Sequence, residues 1–298
     1  MRIAVTGASG FCGSAVVRAL RAHGHGVVAL GRRPVADAEW RGWDAAADVP
    51  DLAAVEAVVH LAAAVGDPRP GADDAEFERV NVDGAARLLD AVRLREVPVV
   101  WVSSASVYDP RLDRSLVPES HPTEGGHLNA YGRTKALGDR LALAAGAVVL
   151  RPRAVYGPGD PHLLPRLRRA VRCGRIVLPG ADVDLSLTHV DNLASACVAA
   201  LGWPAGAYNV ADPAPVRRDR VVAAVLSARV SHLPIAIVDG AARIVERTAA
   251  LTGREPLLTP YAVDTLARPC CLDLSRARAT GWEPEERLAG FVEALASR

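Results

Sequence analysis

The first 150 residues alternate between short apolar runs and longer segments whose apolar positions recur at helical spacing. Residues 2–6 form a run rich in β-branched side chains, and residues 14–23 carry apolar side chains on one helical face. The same reading predicts strands at 27–30, 57–61, 97–103 and 147–150, and helices at 75–94 and 128–145. Continuously apolar strands separated by helices are typical of a parallel sheet covered on both faces. We therefore predict an α/β fold with a doubly wound, parallel Rossmann sheet.

The pattern changes after Arg151, where prolines become frequent. A strand at 185–190, a helix at 191–201 and a strand at 207–210 are predicted, with helices near 218–226, 238–251 and 284–296. We expect residues 1–160 to form the dinucleotide-binding domain, with 189–211 returning to it. Residues 161–298 would then form a smaller, mixed α/β substrate-binding lobe.

Composition narrows the class of protein. Half of the 298 residues are hydrophobic and 23% are charged, which excludes a disordered chain. The 35 basic and 34 acidic side chains leave a net charge of +1, too small for bulk attraction to nucleic acid or anionic lipid. No apolar run reaches the about 18 residues that a membrane span requires, and glycines from Gly7 onward interrupt any signal peptide. We expect a soluble, cytoplasmic protein.

The cysteines and histidines point away from a metal site. The five cysteines are scattered, and none of them has the C-x-x-C spacing of a metal ligand pair. No two histidines have the H-x-x-x-H spacing of a zinc-binding helix. The sequence therefore predicts no metal.

The turn after the first strand contains Gly7, Gly10 and Gly13 and leads directly into a helix. Backbone N–H groups and the helix dipole would meet there and favour a phosphate. Gly7 would allow the tight turn, Gly10 the approach of a pyrophosphate, and Gly13 the close packing of helix on strand. The spacing is G-x-x-G-x-x-G rather than the G-x-G-x-x-G of the usual dinucleotide fingerprint.

The end of the second strand bears on the choice of nucleotide. An acidic residue at this position would hold the ribose hydroxyls of NAD, whereas arginine accommodates the 2′-phosphate of NADP. Here Arg32 and Arg33 follow Gly31, with no carboxylate before Asp37. The sequence favours NADP(H) over NAD(H), although a solvated pair of surface arginines is an alternative interpretation.

Tyr131 and Lys135 are four residues apart on a predicted helix and so share one face. Lys135 is the single lysine among 35 basic residues. A fixed cation beside a phenol would stabilise the phenolate and make the tyrosine a better acid–base catalyst. Ser104 follows a predicted strand at the ligand-binding edge of the sheet, where its hydroxyl could donate to a carbonyl oxygen.

Taken in order, these motifs resemble the extended short-chain dehydrogenase/reductase family, also called NAD-dependent epimerase/dehydratases. The shared motifs include the glycine turn, V-H-L-A-A at 59–63, S-S-A-S-V-Y at 103–108, Y-G-R-T-K at 131–135, R-P-R-A-V-Y-G-P-G at 151–159 and G-W-E-P at 281–284. The resemblance covers nearly the whole chain. It implies a nicotinamide cofactor, hydride transfer and a homodimer through the helices at 75–94 and 128–145.

The resemblance also implies roles for individual residues. Ser104, Tyr131 and Lys135 would be catalytic, with Tyr131 giving or taking the proton. Cofactor contacts would come from the glycine turn, from residues near the ends of the strands and from the helix of Tyr131. These residues are Gly7, Ser9, Gly10, Phe11, Cys12, Gly13, Arg32, Arg33, Leu61, Ala62, Ala63, Asn81, Tyr131, Lys135 and Pro152.

Departures from the family pattern narrow the reaction. Sugar-nucleotide 4,6-dehydratases of this family place an acidic pair where this chain has Ala105 and Ser106. Many of its epimerases carry asparagine where this chain has Ala154. We take Ser106, Arg153 and His189 as candidate substrate contacts. Arg153 could instead pair with an acid at the lobe interface, and His189 could simply be packed at a strand end.

Three functions remain open on sequence alone. The first is an NADP(H)-dependent ketoreductase acting on a keto-sugar nucleotide or another small keto metabolite. The second is a nucleotide-sugar epimerase with a permanently held NAD(P). The third is a non-catalytic protein that senses NAD(P), which the intact set of Ser104, Tyr131 and Lys135 disfavours.

Overall fold

A computed structural model describes residues 1–36, 38–66, 74–252 and 258–297. Asp37 therefore lies outside the described residues. Seven parallel strands form the central sheet: β1 (Arg2–Thr6), β2 (Gly26–Gly31), β3 (Glu39–Gly42), β4 (Ala57–His60), β5 (Val99–Val102), β6 (Val148–Pro152) and β11 (Gly206–Val210). Their order across the sheet is β11-β6-β5-β4-β1-β2-β3. The predicted doubly wound parallel sheet is confirmed.

The order of the strands reverses at the centre of the sheet. The chain moves outward from β1 through β2 to β3, and then crosses to β4 on the other side of β1. Thr6, the last residue of β1, is in register with His60, the last residue of β4. The loops that follow these two residues therefore diverge from a crevice, where doubly wound sheets bind their ligands.

Helices cover both faces of the sheet. On one face α1 (Phe11–Ala22) and α6 (Val190–Ala199) pack together, with Leu20 and Leu193 fully buried in a shared apolar core. On the other face α3 (Gly84–Leu94) and α4 (Ala130–Ala144) cover the strands, with Leu88 and Ala142 buried. Both faces of the sheet are thus shielded from water, which explains why its strands are continuously apolar.

The predicted helix at 75–94 is interrupted. It is divided into α2 (Ala75–Glu78), a π-helical segment at Arg79–Asp83 and α3. The π-helical segment contains the buried Asn81, one of the predicted cofactor residues. Single π-helical turns are frequently found at functional sites.

The remaining elements form small sheets and helices beside the carboxyl ends of the central strands. The short strands are β7 (Val155–Tyr156), β8 (Arg175–Pro179), β9 (Asp184–Leu185), β10 (Thr188–His189), β12 (Val216–Arg217) and β13 (Arg229–Leu233). They pair as β10-β7, β12-β9 and β13-β8. The helices are α5 (Leu163–Ala170), α7 (Arg218–Leu226), α8 (Ile235–Thr252), α9 (Pro260–Ala267), α10 (Ser275–Arg278) and α11 (Leu288–Ala296).

Several boundaries differ from the sequence prediction. The single strand expected at 185–190 is instead β9 and β10, and Val190 already belongs to α6. The parallel pair β8 and β13 was not predicted, because exposed arginines at Arg175 and Arg229 break the apolar pattern. Helix α1 begins at Phe11, three residues before its predicted start. No helix in the described part of the chain is long and apolar enough to cross a membrane.

Candidate active site

The glycine turn after β1 forms a tight cradle. Gly7 has a φ of +67°, and its carbonyl oxygen accepts a hydrogen bond of 2.9 Å from the N–H of Gly10. A Cβ on Gly13 would lie 2.0 Å from that same oxygen, so a side chain cannot be accommodated there. The next element, α1, has no side-chain cap and no acidic residue in its first turn. Its uncapped N–H groups and positive dipole end fit a pyrophosphate.

The residues between these glycines differ in exposure. Ser9 is exposed at the surface of the turn, while Phe11 and Cys12 are half-buried at the start of α1. Burial, assisted by the negative charge of Asp160, raises the pKa of the Cys12 thiol to about 11. Cys12 is therefore protonated at neutral pH and is not a nucleophile.

Thr6 ties the glycine turn to the loop after β4. Its hydroxyl oxygen accepts hydrogen bonds of 3.0 Å from the N–H groups of both Leu61 and Ala62. It also lies 2.8 Å from Nδ1 of His60. Since the oxygen already accepts twice, its proton is donated to Nδ1, which assigns the His60 proton to Nε2. Burial, and then the charge of Lys135, hold the pKa of His60 well below its usual value, in agreement with a neutral ring.

Asn81 is hydrogen-bonded to the same loop. Its Oδ1 accepts from the N–H of Ala64 at 2.9 Å, and its Nδ2 donates to the Ala64 carbonyl oxygen at 3.0 Å. Nδ2 also donates to the hydroxyl of Thr134 on α4, at 3.0 Å. Asn81 thus joins the loop that contains Ala62 and the half-buried Ala63 to the helix of Tyr131 and Lys135.

Arg32 and Arg33 lie directly after β2, and both are exposed. Neither side chain makes an ion pair or a hydrogen bond with another described residue. Their guanidinium groups are therefore available to a ligand at this edge of the sheet.

The hydroxyl groups predicted for catalysis come together at the end of β5. Ser104 caps a short 3₁₀ turn (Ala105–Val107), and the Ser106 hydroxyl donates to Oγ of Ser104 at 3.0 Å. Burial raises the pKa of the Tyr131 phenol above its usual value, and the neighbouring side chains of Ser104 and Ser106 oppose this shift only in part. Tyr131 is therefore a protonated phenol at neutral pH.

Lys135 is anchored at the end of β5. Its ammonium donates to the carbonyl oxygen of Val102 at 2.9 Å. Burial lowers its pKa to about 8, partly opposed by the charge of Asp139. Burial is also the largest influence on the pKa of Tyr131. Stabilisation of the Tyr131 phenolate by Lys135 stays a prediction.

Helix α4 is held in position at two points. Asn129 caps its start by accepting a 2.9 Å hydrogen bond from the N–H of Gly132, which places Tyr131 in the first turn. One turn after Lys135, Asp139 accepts two hydrogen bonds from Arg151, of 3.0 and 2.6 Å. Neither member of this buried pair was recognised as functional from the sequence. The sequence signal that could have identified the pair is Asp139, a carboxylate on an otherwise packed face of the helix.

Next to this pair, β6 ends at Pro152, which is buried and in register with Val210. Arg153 follows, and its side chain donates to the main-chain oxygens of Ser186 at 2.8 Å and of Thr265 at 3.1 Å. Arg153 therefore makes its side-chain hydrogen bonds to main-chain oxygens and forms no ion pair with an acidic side chain among the described residues.

A pocket that Ser106 lines encloses about 510 Å³, including the part open to solvent. Its wall on the central domain includes Ser106, Asn129 and Gly132, and its outer wall comes from α9 and the residues around Cys270. Arg153 lines it as well. The candidate substrate contacts Ser106 and Arg153 thus share one pocket.

His189 is located elsewhere. It caps α6, and its ring packs edge-on against Tyr156 and Phe291, with centroids 5.2 and 6.3 Å away. Its main-chain N–H donates to Asp212 at 2.8 Å. The structure therefore gives His189 the packed position at a strand end rather than a place beside Ser106 and Arg153.

Comparison with known proteins identifies the family of the chain. A sequence model described as the NAD dependent epimerase/dehydratase family matches residues 3–211. The chain belongs to this family, the extended short-chain dehydrogenases/reductases. It is therefore an NAD(P)-dependent oxidoreductase or epimerase by class.

Two relatives that match over nearly the whole chain are named as reductases. The chain is 30% identical to a 2-alkyl-3-oxoalkanoate reductase of Stenotrophomonas maltophilia (strain K279a), over 96% of this chain and 95% of that protein. It is 32% identical to a 4-hydroxy-2-methyl-3-oxo-4-farnesyl-3,4-dihydroquinoline-1-oxide ketoreductase of Stigmatella aurantiaca, over 93% and 90%.

Among solved structures, MoeE5 in complex with UDP-glucuronic acid and NAD is similar to this protein over the whole chain. The TM-score is 0.71 at 26% identity, and the alignment covers 98% of this chain and 97% of MoeE5. A nicotinamide cofactor is thus common to the family and to this structural relative.

Proposed function

We propose that the protein is an NADP(H)-dependent ketoreductase that reduces the carbonyl of a small keto metabolite, with Tyr131 as the proton donor. The observation that carries the proposal is the cluster of Ser104, Ser106 and the protonated Tyr131, next to a pocket that Ser106 lines. A reductase needs a protonated acid when the substrate arrives, and burial keeps this phenol protonated. Two relatives that match over nine-tenths of the chain are named as reductases of keto compounds.

When bound, NADPH supplies the hydride, and the protein supplies position and electrostatics. The glycine turn and the uncapped start of α1 hold the pyrophosphate. The hydroxyl of Ser104 donates to the substrate carbonyl oxygen and polarises it. Tyr131 then transfers its phenolic proton to that oxygen, so that a ketone becomes a secondary alcohol.

Lys135 and Asn81 act behind Tyr131. The ammonium of Lys135 is fixed by the Val102 carbonyl oxygen and supplies positive charge where the phenolate develops. Asn81, through Thr134, keeps α4 in register with the loop at Ala62–Ala64. The ribose of the nicotinamide half would lie between Leu61, Ala62 and Lys135, with Pro152 near the carboxamide.

The preference for NADP(H) is supported by Arg32 and Arg33. Both are exposed at the end of β2 and neither is engaged by another described residue. Guanidinium groups bind phosphate through paired N–H donors, so two of them beside the adenosine ribose suit a 2′-phosphate.

We further propose a homodimer formed through α3 and α4. Leu94 at the end of α3 is 83% exposed, and Leu141 on α4 is 37% exposed. Pairing of these helices between two copies would remove both side chains from water. Sedimentation equilibrium of the wild type and of Leu94→Glu tests this, with a monomeric wild type as the contradicting result.

A second candidate is a nucleotide-sugar epimerase with a retained cofactor. The observation that favours it is the structural similarity to MoeE5, which was solved with UDP-glucuronic acid and NAD. One experiment separates the two functions: the nucleotide released by denaturing the purified protein is identified, and the stripped protein is titrated with NADPH and NADH. An empty protein that prefers NADPH supports the reductase. Stoichiometric nucleotide carried through purification supports the epimerase.

A further inference from the structure

The pocket beside Ser106 contains few formal charges. The side chains in its wall that could carry a charge near neutral pH are Arg114, His127, Arg153 and Asp264. A nucleoside diphosphate, a carboxylate and a neutral ketone differ in charge. The net charge of these four side chains therefore indicates which of the three substrate classes the pocket suits.

Arg114 and His127 contribute no free positive charge. The Arg114 guanidinium donates to Oδ1 of Asp264 at 2.9 Å, and both side chains are nearly buried. Asp264 also lies 3.3 Å from Arg268, which is largely exposed and screened by solvent. The pKa of His127 is lowered, mainly by burial, so this ring is neutral at neutral pH.

Arg153 is different because it is buried without a counter-charge. The residue is 8% exposed, and no acidic side chain among the described residues lies within 4.0 Å of its guanidinium. Its two side-chain hydrogen bonds go to main-chain oxygens of Ser186 and Thr265. A guanidinium has five N–H donors, so these bonds leave donors for a ligand.

The backbone of Arg153 is also fixed. Its N–H donates to the Thr188 hydroxyl at 3.1 Å, and that hydroxyl lies 2.9 Å from its carbonyl oxygen. The guanidinium is thus held in the pocket wall before any substrate arrives. A buried, unpaired and rigid cation is costly to the folded protein, and an anionic ligand would offset that cost.

We propose that Arg153 binds a carboxylate of the substrate, so that the substrate is a keto acid whose ketone faces Ser104 and Tyr131. This inference rests on the proposed ketoreductase function and adds the substrate class. One uncompensated positive charge matches one carboxylate, whereas a nucleoside diphosphate would bring about two negative charges into the same pocket. Arginine and carboxylate also match in bidentate geometry.

The test compares two substrates that differ only in charge, 3-oxooctanoate and its methyl ester, with NADPH as reductant. Wild type is expected to prefer the carboxylate. Arg153→Gln is expected to lose about 10- to 100-fold in kcat/KM for 3-oxooctanoate, as for a charged hydrogen bond. For the ester the same variant should change by less than about threefold. An equal loss on both substrates would show a structural role and overturn the proposal.

Two further variants control for charge and folding. Arg220→Gln removes an exposed arginine from α7 and should leave both substrates unaffected. Arg153→Lys keeps a positive charge but not the paired N–H donors of the guanidinium, and should retain part of the preference for 3-oxooctanoate. A lysine variant no better than the glutamine variant on both substrates would contradict the role of the charge.

Binding separates failure of this inference from failure of the proposed function. The dissociation constant of 3-hydroxyoctanoate is measured with the NADP⁺-bound protein by calorimetry, for wild type and Arg153→Gln. Binding that depends on Arg153 without turnover would support the carboxylate site and contradict the reductase. No binding by the wild type, or Arg153-dependent binding of UDP-glucose instead, would overturn the carboxylate site.

Discussion

Asp139 and Arg151 form a buried ion pair that fixes the catalytic helix on the central sheet. Two hydrogen bonds, of 3.0 and 2.6 Å, join them, and their side chains are 0% and 3% exposed. Asp139 is one turn after Lys135, and Arg151 immediately precedes Pro152. Any shift of this pair would therefore move Lys135 and Pro152, which are proposed to face the cofactor.

Breaking the pair should destabilise the protein strongly. Asp139→Asn leaves the Arg151 guanidinium buried and unpaired, which costs about 3–5 kcal/mol of unfolding free energy. Urea denaturation followed by circular dichroism measures this. The exposed pair of Asp239 and Arg243 provides a control, because Asp239→Asn should cost less than about 1 kcal/mol. Equal costs for the two variants would contradict the role of burial.

Tyr131→Phe tests the proton donor. It removes one hydroxyl and retains the ring, so NADPH binding should change little. Without the proton, kcat/KM for ketone reduction should fall by roughly 10²–10⁴-fold. Steady-state kinetics and fluorescence titration with NADPH measure the two quantities. Near-normal turnover would exclude Tyr131 as the acid.

The lowered pKa of Lys135 leads to a prediction of how the rate of reduction depends on pH. Burial lowers its pKa to about 8, so its ammonium is present below pH 8 and is lost as the pH rises through that value. We expect kcat/KM for reduction to fall above pH 8. Lys135→Arg keeps a cation across this range, so any activity that it retains should lack the fall. An unchanged pH profile in that variant would assign the fall to another group.

The same pKa shift makes a prediction for stability. The unfolded chain, with a lysine pKa of about 10.5, binds more protons between pH 8 and 10.5 than the folded protein does. The contribution of Lys135 to unfolding free energy should therefore rise with pH over this window. Lys135→Met, which removes the titrating group, should flatten that part of the stability curve.

Gly13 tests the cofactor cradle. A Cβ at Gly13 would lie 2.0 Å from the Gly7 carbonyl oxygen, so Gly13→Ala must displace the turn from α1. We expect affinity for NADPH to fall by at least about tenfold, measured by fluorescence titration. Gly290→Ala is the matched control, because its Cβ would meet nothing within 4 Å. Unchanged NADPH affinity in Gly13→Ala would contradict the cradle.

Arg32 and Arg33 test the preference between nucleotides. Replacing both with alanine should weaken NADPH by about 10- to 100-fold and NADH by much less, since only NADPH has the 2′-phosphate. Parallel titrations of the stripped protein measure both affinities. An equal loss for NADPH and NADH would mean that the arginines stack on adenine or contact the pyrophosphate instead.

Local sequence signals predicted where most residues of the candidate site lie in the fold. The glycine turn, the strand ends and the Tyr131–Lys135 spacing each rest on residues close together in the chain, where backbone geometry determines which side chains meet. The central sheet was predictable for the same reason, since its buried strands are continuously apolar. The polar edge strand β3 was missed, because Glu39 and Arg41 break that pattern.

Long-range contacts were not predictable. Thr6 meets His60 from 54 residues away, and Arg153 meets Thr265 from 112 residues away. The raised pKa of Tyr131 was not predictable either, because it depends on burial from several elements at once. Spacing alone indicates which groups are adjacent, but not how much water reaches them.

Transfer of label from NADPH carrying deuterium at the transferred C4 position is the most direct test of ketoreduction. The stripped protein is mixed with this NADPH and a 3-oxo acid, and the product alcohol and the nucleotide are analysed by mass spectrometry. The proposed function predicts one deuterium in each alcohol and one NADP⁺ released per turnover. Recovery of the 3-oxo acid unchanged, with no deuterium transferred and no net NADP⁺ formed, would contradict the reductase.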